Sequence, residues 1–199
     1  MTVFEYSSVF IAIIVGQTAN ELLQRMAHIM KQDKWIRRYW MEMYFLTAYL
    51  LMNIGYFFGY FTIASNLDEI TIFNFLGPLA GSSLLYFIAY FAPVPHPREN
   101  ITDIEGYYSQ KLPKSQILLG IFIVVNGLIQ AFALDLSLLF DPAYQSVLFV
   151  GAAWAGVSLT FRPLIDRYGI RRFNLGCILL GPMILGTSLQ NPMMILSSN

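Results

Sequence analysis

The sequence has 199 residues, of which 56% are hydrophobic, 16% aromatic and only 12% charged. A typical soluble domain is about 25% charged and about 45–50% apolar, so this composition excludes a disordered tail and predicts a membrane protein. Twelve basic and twelve acidic residues give zero net charge, and Cys177 is the only cysteine. These counts exclude a nucleic-acid-binding protein and a disulfide scaffold.

Six segments are long and apolar enough to cross a bilayer, whose hydrocarbon core takes about 20 helical residues to span. The sequence therefore predicts an all-α polytopic membrane protein, a single domain over residues 1–199 built as a bundle of six transmembrane helices. The six predicted spans are residues 7–30, 41–64, 70–92, 116–134, 145–161 and 173–189. The longest loop, residues 93–115, is expected on the cytoplasmic side.

The distribution of charge predicts the orientation of these spans. All 12 Lys and Arg residues lie at the end of, or after, the first, third and fifth spans. The charged residues on the opposite side are all acidic. Cytoplasmic loops of membrane proteins are enriched in Lys and Arg, so both termini are predicted to lie outside. No basic residue precedes Arg25, which favours a permanent first helix over a cleaved signal peptide.

Three spans followed by three spans give two halves of opposite orientation, as in the inverted repeats of many transporters. Residues 76–84 of the third span resemble residues 180–189 of the sixth, and each stretch contains a Gly-Pro pair. A 3+3 inverted repeat and two unrelated proline kinks both explain this similarity. Two pairs of glycines one turn apart, Gly55 with Gly59 and Gly77 with Gly81, predict helix-packing seams within the chain or at a dimer interface.

Polar residues recur at helical spacing within the predicted spans and define a candidate site. The first span carries one such stripe, which ends at His28, and the second carries another, which ends at Tyr60; Ser158 and Asn174 extend the polar set in the last two spans. Glu21 is the leading residue, because a carboxylate within the bilayer must be paired, protonated or hydrated. The candidate binding residues are Gln17, Asn20, Glu21, Gln24, Glu42, Tyr49, Asn53, Tyr56, Asn126, Gln130 and Arg162.

Two interpretations of this polar set remain open. The residues line a cavity that binds or passes a small solute, an ion or a proton, or they hydrogen-bond between helices as structural contacts. In the second interpretation Glu21 and Arg25 form an i,i+4 pair near the membrane surface.

The sequence lacks the motifs of the common intramembrane enzymes. His28 and His96 are the only histidines, which argues against a haem held by two axial histidines, and there is no H-E-x-x-H, P-loop or dinucleotide fingerprint. No enzymatic activity, metal site or cofactor is predicted. The alternatives to a solute-binding protein are a membrane subunit acting through oligomerisation or other protein partners, and, third, a lipid-modifying enzyme.

Three short motifs carry a family resemblance over about the first 130 residues. They are Ile-Ile-Val-Gly-Gln-Thr at 13–18 followed by Leu22 and Leu23, Arg-Arg-Tyr-Trp at 37–40, and Asp-Ile-Glu-Gly-Tyr-Tyr at 103–108. In these motifs the chain resembles a family of small bacterial inner-membrane proteins of unknown function. The resemblance implies a bacterial inner-membrane location and a single six-helix unit, and it implies no activity.

Overall fold

The computed structural model describes residues 3–31, 40–64, 72–97, 104–133 and 136–160. Over these residues the chain is all-α, which confirms that part of the predicted fold class. The long helices are Val3–Met30 (α1), Trp40–Ala64 (α2), Ile72–Tyr90 (α3), Ile104–Ala133 (α4) and Pro142–Thr160 (α5), with a short 3-10 helix, Leu136–Phe140, before α5. The sixth predicted span, at 173–189, lies outside the described residues, as do Arg162 and Asn174.

The largest difference from the predicted bounds is the start of α4. It begins at Ile104, whereas the predicted span begins at residue 116, so the second half of the predicted loop 93–115 is helical. Lys111, Pro113 and Lys114 made this stretch resemble a loop, and Pro113 lies inside the helix. Charge and hydropathy show which part of a helix is apolar. They do not show at which residue the helix begins.

The helices alternate in direction, as cross-helix contacts near their ends show. The Ser7 and Tyr60 hydroxyls are 2.8 Å apart, and the Asn53 side-chain amide donates to the Val15 carbonyl at 2.9 Å. Later residues of α1 therefore contact earlier residues of α2, so these two helices are antiparallel. Likewise, Gln116 in the first half of α4 contacts Trp154 in the second half of α5, as expected for antiparallel helices.

The remaining helices fit the same pattern. On α3, Gly77 contacts Ile129 of α4, while Tyr90 lies beside Lys111 near the start of that helix, so α3 and α4 are antiparallel. Consequently α1 and α3 end, and α2 and α4 begin, on one side of the bundle. We call this side the basic end, because the basic side chains of the described residues lie toward it. They are Arg25, Lys31, Lys111 and Lys114.

The two predicted pairs of glycines differ in their contacts within the chain. A Cβ added at Gly77 or Gly81 would contact Ile129 or the hydroxyl of Tyr56, so these glycines do allow neighbouring helices to approach α3. At Gly59 a Cβ would contact no atom of the described residues within 4 Å, so Gly59 forms no seam among them, and a dimer interface there stays a prediction. The second Gly-Pro pair lies outside the described residues, and the inverted repeat therefore stays a prediction.

One helix within the described residues is long and apolar enough to cross a membrane, namely the stretch Gln110–Phe132 of α4. The stretch Phe75–Tyr90 of α3 is similarly apolar but shorter. In α1 and α2, charged, amide and tyrosine side chains and glycines lower the hydropathy. Length and composition of the described residues therefore support one crossing and do not support the six that the sequence predicts.

Candidate functional site

The polar stripe of α1 is displaced by one residue from the face that packs against the bundle. The buried positions toward the end of the helix are Thr18, Leu22, Arg25 and Ile29, spaced at i, i+4, i+7 and i+11. The predicted stripe has the same spacing one residue earlier, so Glu21, Gln24 and His28 are half-buried beside this face, while Gln17 and Asn20 are exposed. Periodicity alone gives the spacing of a helical face and leaves its rotation undetermined.

Arg25 connects α1 to the end of α3. Its side chain is 2% exposed, and its Nε and Nη2 atoms both donate to the Glu21 carboxylate oxygen Oε1, at 2.9 and 2.6 Å. Nη2 also donates to the Tyr90 carbonyl at 3.1 Å, and Nη1 donates to the carbonyl of Val94. Carbonyls at a helix C-terminus lack partners within the helix and favour a nearby cation, so the guanidinium satisfies them while it neutralises Glu21.

His96 completes a group of four side chains at this end. Its Nε2 atom is 3.1 Å from Gln24 Oε1 and 3.6 Å from Glu21 Oε2. The prolines at 93, 95 and 97 prevent a regular helix around His96, and as predicted the residue lies outside the helices. We call Glu21, Gln24, Arg25 and His96 the basic-end cluster.

The basic-end cluster contains two groups that can exchange protons with solvent. The side chains of Glu21 and His96 are 19% and 14% exposed, respectively. Arg25 uses only Oε1 of the carboxylate, so Oε2 faces the imidazole. The structure therefore places a carboxylate and an imidazole side by side at this end of the bundle.

A second buried group joins α2, α4 and α5. The Tyr49 hydroxyl is 2.8 Å from the Ser115 hydroxyl and accepts a bond from the Gln116 amide at 3.1 Å. The Trp154 indole donates to Gln116 Oε1 at 2.9 Å. Tyr49 was predicted as a site residue, whereas Ser115, Gln116 and Trp154 were missed. The available signal was that a buried indole N–H requires an acceptor. We call these four residues the tyrosine network.

The polar residues farther from the basic end lie in the α1–α2–α3 region. Asn53 is completely buried, and its Oδ1 atom has no hydrogen-bond partner among the described residues. The Tyr56 hydroxyl donates to the Pro78 carbonyl at 3.0 Å. Of the other predicted residues, Glu42 is half-buried near the start of α2, and Asn126 and Gln130 are half-buried on α4. The hydrogen bonds described here for Gln24, Tyr49, Asn53 and Tyr56 therefore run to residues outside the predicted set rather than between predicted residues.

Removing the hydroxyl of Tyr49 is expected to destabilise the bundle. Tyr49→Phe deletes two hydrogen bonds in a buried network, and each such bond contributes about 1 kcal/mol. Tyr86→Phe is the matched control, because it deletes the same atom from a half-buried ring. Chemical unfolding in detergent micelles measures both variants. Equal effects of the two substitutions would contradict a stabilising role for the tyrosine network.

No protein-family model, no curated protein sequence and no solved structure matches the chain. The positions of its own polar and apolar side chains are therefore the basis for a functional proposal.

Proposed function

We propose that the chain is an integral membrane protein that passes a proton or a small polar solute along the polar interior of its helix bundle. The observation that carries the membrane placement is the distribution of polarity. Arg25, Asn53 and Gln116 are at most 1% exposed, while many large apolar side chains point outward. Outward-facing examples are Phe10, Leu51, Phe58, Phe87, Phe132 and Phe149.

This distribution is unfavourable for a protein surrounded by water and favourable for one surrounded by lipid. Exposed apolar surface on this scale is unusual on a soluble monomer. In a bilayer the same side chains contact hydrocarbon, whereas charged and amide groups turn inward and pair with one another. The membrane placement therefore explains both halves of the distribution.

Helix length and charge support a multi-pass arrangement. The shortest long helices, α3 and α5, have 19 residues, which corresponds to a rise of about 28 Å, close to the hydrocarbon thickness of about 30 Å. The alternating directions of α1 to α5 match successive crossings, with the basic end in the cytoplasm. With the predicted span at 173–189 the chain crosses six times and both termini lie outside, and the family resemblance favours a bacterial inner membrane.

The polar groups of the interior lie at several depths between the two ends. The basic-end cluster occupies one end, the tyrosine network and Asn53 follow along α2, and the Ser7–Tyr60 pair lies toward the other end. A succession of hydrogen-bonding side chains through an apolar bundle can carry a proton or hold a small polar ligand. We assign the proton-accepting role to Glu21, whose Oε2 faces His96.

A specific observation favours the second candidate, a membrane subunit that acts through oligomerisation or another membrane protein. A Cβ added at Gly16, Gly59 or Gly156 would meet no atom of the described residues within 4 Å. Small residues on an outer helix surface allow another helix to approach closely. The third candidate, a lipid-modifying enzyme, gains no such support. The adjacent serines of α3, Ser82 and Ser83, carry hydroxyls of the kind that act as nucleophiles, but both donate to the Leu79 carbonyl rather than to a basic side chain.

Proton uptake into vesicles tests the proposed function. The purified chain is reconstituted into liposomes that contain a pH-sensitive dye, and a potassium diffusion potential drives proton entry. Glu21→Gln removes the titratable carboxylate but keeps an oxygen for Arg25, and we expect it to slow uptake about tenfold or more. Leu23→Ala, at an exposed position on the same helix that is not among the candidate binding residues, is the control and should leave the rate unchanged.

Two results would contradict the proposal at different points. Uptake by wild-type vesicles equal to that of protein-free vesicles would remove proton passage and leave the membrane placement intact. A chain that does not float with the vesicles in a density gradient would remove the membrane placement itself.

A further inference from the structure

We infer that Lys111 and Lys114 form a binding site for the phosphate group of an anionic phospholipid at the basic end. This inference rests on the proposed membrane placement, and it does not depend on proton passage. The site is separate from the basic-end cluster, because its cations belong to α4 and contact a different set of side chains.

The two lysines lie against one group of aromatic rings. The Lys111 Nζ atom is 5.7 Å from the centre of the Tyr90 ring, 5.2 Å from that of Phe91 and 5.3 Å from that of Tyr107. The Lys114 Nζ atom is 5.7 Å from the centre of the same Phe91 ring. A cation within about 6 Å of a ring centre is attracted by the ring, so these contacts hold both ammonium groups beside one ring, that of Phe91.

The charge of this pair is not balanced within the described part of the chain. The ion pairs there involve Glu21 with Arg25 and with His96, and neither lysine takes part in them. Aromatic rings orient an ammonium group but do not neutralise it. Two positive charges that share the Phe91 ring therefore repel each other and favour an anion that contacts both.

The depth of the site identifies the anion. Tyr90 is the last residue of α3 and Phe91 follows it, so in the proposed placement the rings lie where the apolar part of the bundle meets the headgroups. Tyrosine rings and lysine side chains are typical of this zone, where the lysine stem contacts apolar groups and its ammonium reaches the phosphates. Phospholipid phosphate is the abundant anion there.

The rings also provide an apolar surface for the rest of the lipid. Tyr90 is 49% exposed and packs edge-to-face against Phe91, with ring centres 5.2 Å apart. A lipid whose phosphate contacts the two ammonium groups can place its glycerol and upper acyl carbons along the exposed ring. A free phosphate ion gains nothing from that surface, and we therefore assign the site to a lipid.

Lys31 provides a matched comparison. It is exposed near the same end of the bundle, but it directly follows the last residue of α1 and is not a member of the aromatic group. A general attraction between basic residues and an anionic membrane would depend on all three lysines similarly. A defined site depends on Lys111 and Lys114 and not on Lys31.

Native mass spectrometry of the full chain tests the inference, with titration by phosphatidylglycerol in detergent and phosphatidylcholine as the comparison lipid. We expect wild type to retain one phosphatidylglycerol preferentially. The double substitution Lys111→Gln, Lys114→Gln should weaken this binding about thirtyfold, and Lys31→Gln should leave it within about twofold. An equal loss in the Lys31→Gln variant, or equal retention of the two lipids, would overturn the site.

A second substitution keeps the test informative if the double variant folds poorly. Phe91→Leu retains both charges but removes the ring that the two lysines share, and we expect it to weaken phosphatidylglycerol binding about tenfold. Unchanged binding in a folded Phe91→Leu variant would overturn the proposed geometry. Complete displacement of the lipid by millimolar inorganic phosphate would overturn the assignment to a lipid.

The proton-uptake and lipid-binding results can be told apart. Glu21→Gln should retain the lipid, and the lysine substitutions should leave proton uptake unchanged. Loss of lipid preference with normal proton uptake would refute only the lipid site. Retained lipid preference without proton uptake by wild type would refute only the proposed passage.

Discussion

Replacing Arg25 with methionine is expected to lower the free energy of unfolding by about 3–5 kcal/mol. The substitution keeps most of the side-chain volume but leaves the Glu21 carboxylate and the Tyr90 and Val94 carbonyls without the guanidinium that binds them. Removing one partner of a buried ion pair is costly because the other charge stays desolvated. Thermal or chemical unfolding in detergent, followed by tryptophan fluorescence, measures the effect.

The control removes the same charge from an exposed site in the turn that directly follows the same helix. Lys31→Met should change stability by no more than about 0.5 kcal/mol. The double substitution Glu21→Leu, Arg25→Met should recover part of the loss, because no uncompensated charge then remains. If Arg25→Met and Lys31→Met had equal effects, the guanidinium would not form the buried link between α1 and α3.

Adding one methyl group at Gly120 is expected to destabilise the chain by about 1–3 kcal/mol. A Cβ at this position would lie 2.7 Å from the backbone nitrogen of Ala155 and 2.7 Å from the carbonyl oxygen of Gly151. Backbone atoms cannot rotate away as a side chain does, so α4 and α5 must separate to accommodate Gly120→Ala. Unfolding under the conditions used for Arg25 measures the change, and Gly120→Val should have a larger effect.

Glycines that face open space give the opposite expectation. Gly16→Ala and Gly59→Ala add a methyl group that contacts no atom of the described residues within 4 Å. Alanine is also favoured over glycine in a helix by up to about 1 kcal/mol. These two variants should be neutral or more stable than wild type. A loss of stability at Gly59 as large as that at Gly120 would contradict the helix contacts described above.

The sequence predicts those features of the fold that depend on local composition. Long apolar segments indicated the helices, and the positions of Lys and Arg indicated that successive helices reverse direction, which the Ser7–Tyr60 and Gln116–Trp154 contacts confirm. The pairing of Glu21 with Arg25 also followed from their spacing of four residues. The early start of α4 was missed because Pro113 and the flanking lysines interrupt the apolar pattern.

The features that depend on how helices pack were not predictable in the same way. The face of α1 that contains Thr18 and Arg25 differs from the predicted polar face by one residue, and only neighbouring helices fix that rotation. The seam at Gly120 and Gly151 was likewise missed. A close crossing requires small residues at matching heights on two helices, which a search along one helix does not reveal.

The contacts of Arg25 also bear on how the protein is made. Its carbonyl partners, Tyr90 and Val94, are synthesised 65 and 69 residues after it, so α1 exists for a time without α3. During that interval Glu21, one turn earlier on the same helix, already neutralises the arginine. In the proposed membrane placement, if the helices leave the translocon in chain order, this local pair lowers the free-energy cost of inserting α1 alone. When α3 follows, the carbonyls of Tyr90 and Val94 accept the remaining hydrogen bonds of the guanidinium.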